Sequence, residues 1–440
     1  MHRAGRERGI DPACRRNFGH ADVAAARADP HPPAVHARHP GTGDRHPAAR
    51  PGDPSTARGD GAHLCETHRP APGGCRARDG ARLLHEPRGG QRLGPHRPHR
   101  RQEPAHGNPC PHQGEGLRVV VLGGTRFIGR AIVEDLAAAG HEVLIVHRGV
   151  LEPDGLPHAK HLHVDRAELR DHRSELAAFG PDAAIDCHAL SRVDAEIALD
   201  ALPRGIRLVV ISSIDVYRAF GALHEDRETD PVPIDEDSPV RDHRYPYRGR
   251  LPDMDDYDKL DVEDVYLPAG ATALRLPMVY GERDYQRREE FILRRVRAGR
   301  RRIPFGAGMW LACRGYVRDI ARAARLALES PATRGIALNI CEDRTYSIKT
   351  WALMILEAAG SDAELVRVDD AALPEDLKPT GTMPQHIAAT AHRARTMLGW
   401  TTSDPVETLR TTVRWHLDNP PPDASIDFSA DDAALATARH

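Results

Sequence analysis

The run Leu117-Arg-Val-Val-Val-Leu122, followed by Gly123-Gly124-Thr125-Arg126-Phe127-Ile128-Gly129 and then by Ala131-Ile132-Val133 to Leu136, constrains this chain more than any other stretch. A β-branched run of this length reads as a buried strand, and the apolar residues after it read as a helix packed on that strand. Gly123 allows the tight turn between them, and Gly129 lets the helix lie close to the sheet. The helix N-terminus then offers unpaired N–H groups to a phosphate, so strand, glycine turn and helix together form the first unit of a dinucleotide site.

The pattern repeats downstream. Strand-like runs occur at residues 141–147, 161–165, 183–188 and 206–212, with helix candidates at 166–179 and 193–202 between them. Strands separated by helices imply right-handed crossovers, so the fold class is α/β: a Rossmann-type doubly wound parallel sheet with helices on both faces. After Tyr217 a polar loop runs to about residue 252, long enough to be a functional cover or a mobile segment. A helix over 255–266 and a strand at 273–276 follow. Residues 282–420 supply helices at 287–298, 317–330, 348–359 and 406–419 and are expected to form a smaller C-terminal substrate lobe, with some return to the sheet. Residues 421–440, which open on the last two of three prolines, read as a disordered tail.

Residues 1–116 differ in kind. They hold 19 Arg, no Lys, 13 His, 33 Gly or Pro and one aromatic, Phe18. Such a segment has too little apolar surface to offset ordering entropy, and it reads as disordered or as a non-native extension from an upstream start. Its formal charge is +7, against −10 for residues 117–440. A basic nucleic-acid arm fits poorly with interleaved acids and absent aromatics. No C-x-x-C pair is present there, Cys65-x-x-His68 lacks a second ligand pair, and no metal site is expected in the chain. The domain boundaries expected are therefore 1–116, 117–281, 282–420 and 421–440.

No apolar run reaches the roughly 18 residues that a membrane span requires. Cys187, Cys313 and Cys341 are odd in number and widely spaced, which suits reduced thiols and a cytoplasmic setting. The second strand ends in His147-Arg148, without the acidic residue that usually meets the ribose hydroxyl of NAD. Arg148 could meet a 2′-phosphate instead, so NADP is favoured over NAD.

Several motifs now stand in order: Leu122-Gly-Gly-Thr-Arg-Phe-Ile-Gly129, Ser212-Ser213-Ile-Asp-Val-Tyr217, Lys259-Leu-Asp-Val-Glu263, Leu274-Arg-Leu-Pro-Met-Val-Tyr-Gly281, Gly315-Tyr-Val-Arg-Asp319 and Ala391-His-Arg-Ala-Arg-Thr-Met-Leu-Gly-Trp400. From about Leu117 to Pro420 the chain resembles the NAD-dependent epimerase/dehydratase family, the extended branch of the short-chain dehydrogenase/reductases. The resemblance implies an enzyme holding NAD(P) in a Rossmann lobe and a small-molecule substrate, a sugar or nucleotide-sugar, in a C-terminal lobe. It also implies a homodimer paired through two helices from each subunit. Gly123, Thr125, Arg126, Phe127, Ile128 and Gly129 would surround the pyrophosphate. Asp165 would face the adenine, or cap the helix after it; Cys187, His188 and Ala189 would line the nicotinamide side; Pro277 would border the cofactor; Lys259 would hold the nicotinamide ribose.

Two departures stand out. Arg126 occupies a position the family gives to glycine, and it either reaches a phosphate or projects to solvent. The family also sets a catalytic Tyr four residues before Lys on one helix, where the ammonium lowers the phenol pKa. Asp255 stands four residues before Lys259, and Tyr257 stands two before it, about 200° round an ideal helix. Ser213 remains placed to bind a substrate hydroxyl or carbonyl. The acid/base is then Asp255, or Tyr257 on a helix that starts late, or a loop residue such as Tyr245 or Tyr247. A member without turnover, sensing a dinucleotide or associating with RNA, is the competing reading, and the −10 charge argues against general nucleic-acid binding. The arginines at 294–302 read as a solvated helix end or as a grip for a substrate diphosphate.

Overall fold

Every strand of the main sheet pairs in parallel, as the strand–helix alternation requires. In the computed structural model, which describes residues 116–438 apart from 153, 158, 224, 226 and 423–425, the strands are β1 (Arg118–Leu122), β2 (Glu142–His147), β3 (Lys160–His163), β4 (Ala183–Asp186), β5 (Arg207–Ser213), β6 (Thr272–Leu276), β7 (Met278–Tyr280), β8 (Arg302–Phe305), β9 (Arg314–Tyr316), β10 (Ala337–Asn339) and β11 (Glu364–Arg367). Seven of them form one sheet in the order β10-β6-β5-β4-β1-β2-β3. The strand order reverses at β1 and β4, where a doubly wound sheet opens its ligand crevice. Apart from Gly116, the expectations for residues 1–116 lie outside the described residues.

The helices are α1 (Phe127–Ala138), α2 (Arg173–Phe179), α3 (Arg192–Ala201), α4 (Arg218–Ala222), α5 (Lys259–Tyr266), α6 (Glu290–Arg297), α7 (Val317–Glu329), α8 (Ile348–Ala358), α9 (His392–Leu398), α10 (Pro405–Asp418) and α11 (Ser429–Ala436). Side chains alternate across each strand. Val119 and Val121 of β1 therefore join Ile132 and Leu136 of α1 and Ile320 and Ala324 of α7 in one core. Val120 and Leu122 face the other way, onto Leu169, Leu176, Ala198 and Val262. Both faces are covered, which is why these strands read as unbroken apolar runs. No helix among the described residues is long and apolar enough to cross a membrane.

Three expectations need correction. The helix expected over 166–179 is a 3-10 segment, Arg166–His172, followed by α2, which Gly180 ends in the left-handed conformation. The long loop after Tyr217 is packed: Ile234 exchanges backbone hydrogen bonds with Ala388 and Thr390, and Arg241, Tyr247 and Met254 are buried. The expected disordered tail contains α11, whose Asp431 is fully buried and accepts from Arg295 Nε and one terminal nitrogen, each at 2.7 Å. Arg295 belongs to the arginine run. Arg294 and Arg295 meet Asp376, Arg297 meets Glu290, Arg300 meets Asp432, and Arg301 meets Asp362. Arg295 and Arg300 thereby fasten the C-terminal helix, while Arg301 and Arg302 are exposed. Part of the C-terminal portion returns to the main sheet, through β10 and α7.

Candidate functional site

Gly123 adopts φ +89, the left-handed region that favours glycine. A Cβ at Gly129 would lie 2.0 Å from the Gly123 carbonyl oxygen, so helix and turn touch through a residue that can only be glycine. Arg126, the N-cap of α1, makes no side-chain cap, and the first turn holds no acid. The N–H groups there remain available to an anion, and their dipole favours one. The side chains of Phe127 and Ile128 turn into the core, so these residues can offer a pyrophosphate only backbone N–H. Arg126 is exposed, with its guanidinium over the Tyr285 ring at 5.3 Å. Thr125 is half-buried in the same turn.

His188 follows β4 and stands against the turn: a Cβ on Gly123 would lie 3.1 Å from His188 Cβ. Its Nε2 is shielded from solvent with no hydrogen-bond partner among the described residues. Burial, reinforced by the Arg166 charge, pushes its pKa down to about 4, so the ring is neutral at pH 7. A neutral imidazole with an unsatisfied nitrogen beside an open helix N-terminus fits a dinucleotide cofactor. Cys187 and Ala189 flank it and are buried. Asp165 is exposed and accepts from Ala167 N–H at 3.0 Å, capping the 3-10 segment. Arg148 lies exposed just beyond β2. Pro277 is buried between β6 and β7.

The catalytic candidates converge on a residue the sequence did not single out. Asp215 is fully buried in the turn after β5. Its N–H donates to Ser213 Oγ at 3.1 Å, and its Oδ2 accepts from the Tyr257 hydroxyl at 2.7 Å and from the Tyr247 hydroxyl at 3.3 Å. Burial raises the Asp215 pKa, and burial together with the Asp215 charge raises both phenols well above their usual value. Tyr257 reaches this point because α5 begins at Lys259, not at 255. Asp258, extended at φ −157, is its N-cap and accepts from Leu260 N–H at 2.9 Å. The same carboxylate holds Arg241 at 3.1 Å and the Tyr245 N–H at 2.7 Å. Helix α5 thus starts late, at Lys259.

Lys259 is buried, and its ammonium donates to the carbonyls of Ala189 at 2.6 Å and Ile211 at 2.9 Å, joining the ends of β4 and β5. It lies 5.9 Å from the centre of the Tyr257 ring. Asp255 is not brought to the cluster: it is exposed, and its carboxylate accepts from Gly249 N–H at 2.7 Å. Tyr245 sits outside as well, under the Arg248 guanidinium at 3.9 Å. Glu263 and Tyr217 serve the sheet. Ser212, Glu263, Arg275, Tyr217 and Asn339 form one buried chain of hydrogen bonds across β5, β6 and β10.

Ser213 opens onto a cleft of about 320 Å³ with Pro277, Met278 and Trp310. Met278 and Trp310 also line a second cleft of about 600 Å³, whose walls include Tyr280, Glu289, Arg314 and Trp351. Glu289 is buried, one of its oxygens lacks a partner among the described residues, and burial, with Asp284 nearby, pushes its pKa up to about 7. Arg314 is stacked on Trp351 at 4.4 Å, and burial pushes its pKa down to about 10.

Residues 119–203, from β1 through α3, match the profile of the NAD dependent epimerase/dehydratase family. The chain is 25% identical over 339 residues to the chloroplast stem-loop binding protein of 41 kDa b of Arabidopsis thaliana, covering 72% of this chain and 84% of that one. UDP-glucose 4-epimerase of Thermotoga maritima with UDP-glucose superimposes with a TM-score of 0.52 at 20% identity, over 69% of this chain and all of that one. dTDP-glucose 4,6-dehydratase of Bacillus anthracis in complex with NAD gives 0.53 at 15% identity, over 69% and 97%. At these identities the two superpositions speak for the Rossmann-type fold.

Sequence reasoning missed Asp215, Arg241, Asp258, Glu289 and Arg314. Asp258 carried a readable signal, an Asp directly before a run with Asp261 three residues on, which is an N-cap pattern. Asp215 lay inside a quoted motif without an assigned role, and the others have no local signature.

Proposed function

We propose that this chain is an NAD(P)-dependent enzyme that acts on a sugar or nucleotide-sugar by transient hydride transfer, as an epimerase, dehydratase or reductase. The carrying observation is the cleft at Ser213, which shares Met278 and Trp310 with a neighbouring pocket walled by Trp351 and equipped with the buried Glu289 and Arg314. Aromatic walls accept the apolar face of a sugar ring, and buried charged groups with vacant hydrogen-bonding capacity select hydroxyls. The bound nicotinamide would supply the hydride chemistry.

The chain's own residues divide the remaining work. Gly123, Gly129 and the first N–H groups of α1 seat the pyrophosphate, with Thr125, Arg126, Phe127 and Ile128 forming the turn. His188 closes over it, and Asp165 and Arg148 mark the adenosine end, where Arg148 favours NADP. Cys187, Ala189 and Pro277 border the nicotinamide side, and Lys259 orients its ribose. Ser213 holds the reacting hydroxyl or carbonyl. Tyr257 takes the proton of that hydroxyl on oxidation while passing its own to Asp215 Oδ2, and the return step reverses both transfers. A homodimer in the cytoplasm completes the reading.

One observation favours a second reading, the likeness over 339 residues to a plant stem-loop binding protein. Mass spectrometry of molecules that co-purify with the full chain separates the two. Bound NAD(P) with a sugar nucleotide supports the enzyme, and bound RNA without dinucleotide overturns it.

A further inference from the structure

Outside the cleft, at the edge of the main sheet, the β2–β3 register sets Ile145 opposite His161 and His147 opposite His163. Residues two apart on a strand share a face, so the three imidazoles meet on one side of the sheet. The His147 ring centre lies 5.1 Å from that of His161 and 4.6 Å from that of His163. Glu152, from the segment after β2, closes the group by pairing with His163 Nε2. One donor atom from each of these four residues lies within 4.8 Å of the others. We infer that His147, His161, His163 and Glu152 form a binding site for a divalent transition metal of the zinc class.

Three imidazoles and a carboxylate suit such an ion in four-coordinate geometry, with bonds of about 2.0–2.2 Å. Bonds of that length place neighbouring donors about 3.4 Å apart in a tetrahedron. His147 Nε2 and His161 Nδ1 are now 2.8 Å apart and share a proton, so loading expels that proton from between them and spreads the rings by about half an ångström. The Gly149 N–H, which donates to His147 Nδ1 at 3.2 Å, is the contact that yields when the ring proton moves there. His161, His163 and Glu152 are exposed, which leaves the ion a path in. A metal here would tie the short edge strand β3 to β2 and to the segment carrying Arg148. One faint sign is legible along the chain, His161-x-His163; the remaining donors come from another strand and a loop.

The test uses the full chain, stripped with a chelator and titrated with Co²⁺ and Zn²⁺, beside the His161→Ala/His163→Ala double variant. Residues 1–116 carry 13 His and 4 Cys in both proteins, so the difference between them isolates this site. The wild type is expected to bind one equivalent more than the variant and to show the intense visible bands of four-coordinate Co²⁺ that the variant lacks. Its Tm should rise with Zn²⁺, and the variant's should rise less. Equal stoichiometry and equal spectra overturn the site. Should the double variant fail to fold, Glu152→Gln, on an exposed segment, is expected to weaken Zn²⁺ binding by about tenfold or more, and unchanged affinity overturns the proposal equally.

Discussion

The Tyr257 hydroxyl donates to Asp215 Oδ2 at 2.7 Å across 42 residues of sequence, from a position just ahead of helix α5. Replacing Tyr257 by Phe is expected to lower turnover of the co-purifying substrate by about 100-fold or more, and to lower stability by about 1–3 kcal/mol because a buried carboxylate loses a donor. Tyr247→Phe removes the longer 3.3 Å contact and should cost less in both respects. Steady-state kinetics with urea unfolding of the two variants checks this; equal turnover losses would remove Tyr257 from its proposed role.

Glu289 gives stability a pH dependence of definite sign. Its carboxyl is raised in the folded state to about 7 from an ordinary 4.5. The folded protein therefore holds this proton more tightly than the unfolded chain, and the contribution is full below about pH 4.5 and lost as pH rises through 7. The loss amounts to about 3 kcal/mol at most. Glu289→Gln should flatten the decline between pH 5 and about 8, as urea midpoints across that range would reveal.

Gly129 leaves no room for a side chain, and Gly123, at φ +89, disfavours one. Gly129→Ala places a methyl 2.0 Å from a backbone oxygen, which must move. A stability loss of about 1–3 kcal/mol is expected, together with loss of dinucleotide binding in calorimetry. Retained affinity would show that the cofactor sits elsewhere.

Arg148 should set the cofactor preference. Arg148→Asp is expected to weaken NADP binding by about tenfold or more while sparing NAD, because a guanidinium that pairs a 2′-phosphate becomes a repelling carboxylate. Parallel titrations with both dinucleotides decide it, and an unchanged ratio would leave Arg148 without that role.

Asp431 neutralises the buried side of Arg295. Asp431→Ala leaves that guanidinium, fully buried, with Asp376 as its remaining carboxylate, and is expected to cost about 3–5 kcal/mol. Thermal unfolding of this variant and of a chain ending at residue 420 should both show a lowered Tm. An unaltered Tm would return the last twenty residues to the status of a tail.

What the sequence determined by itself is what neighbouring residues encode. Alternation at period two, helical spacing and the glycines at 123 and 129 specify the parallel sheet and its first turn. Gly129 had to be glycine because its helix touches the turn only six residues before it. Ser213 and Lys259 were legible through motifs for the same reason. Tertiary structure decided the rest, because the groups that make each site stand far apart in sequence. Asp258 ends its extended segment at Lys259 under the pull of Arg241, seventeen residues away, and that moved Tyr257 off the helix and onto Asp215. Arg295 found its partner 136 residues on, turning an expected tail into a packed helix. A buried charge needs a counter-charge wherever the fold can bring one, and no local pattern records which distant carboxylate that will be.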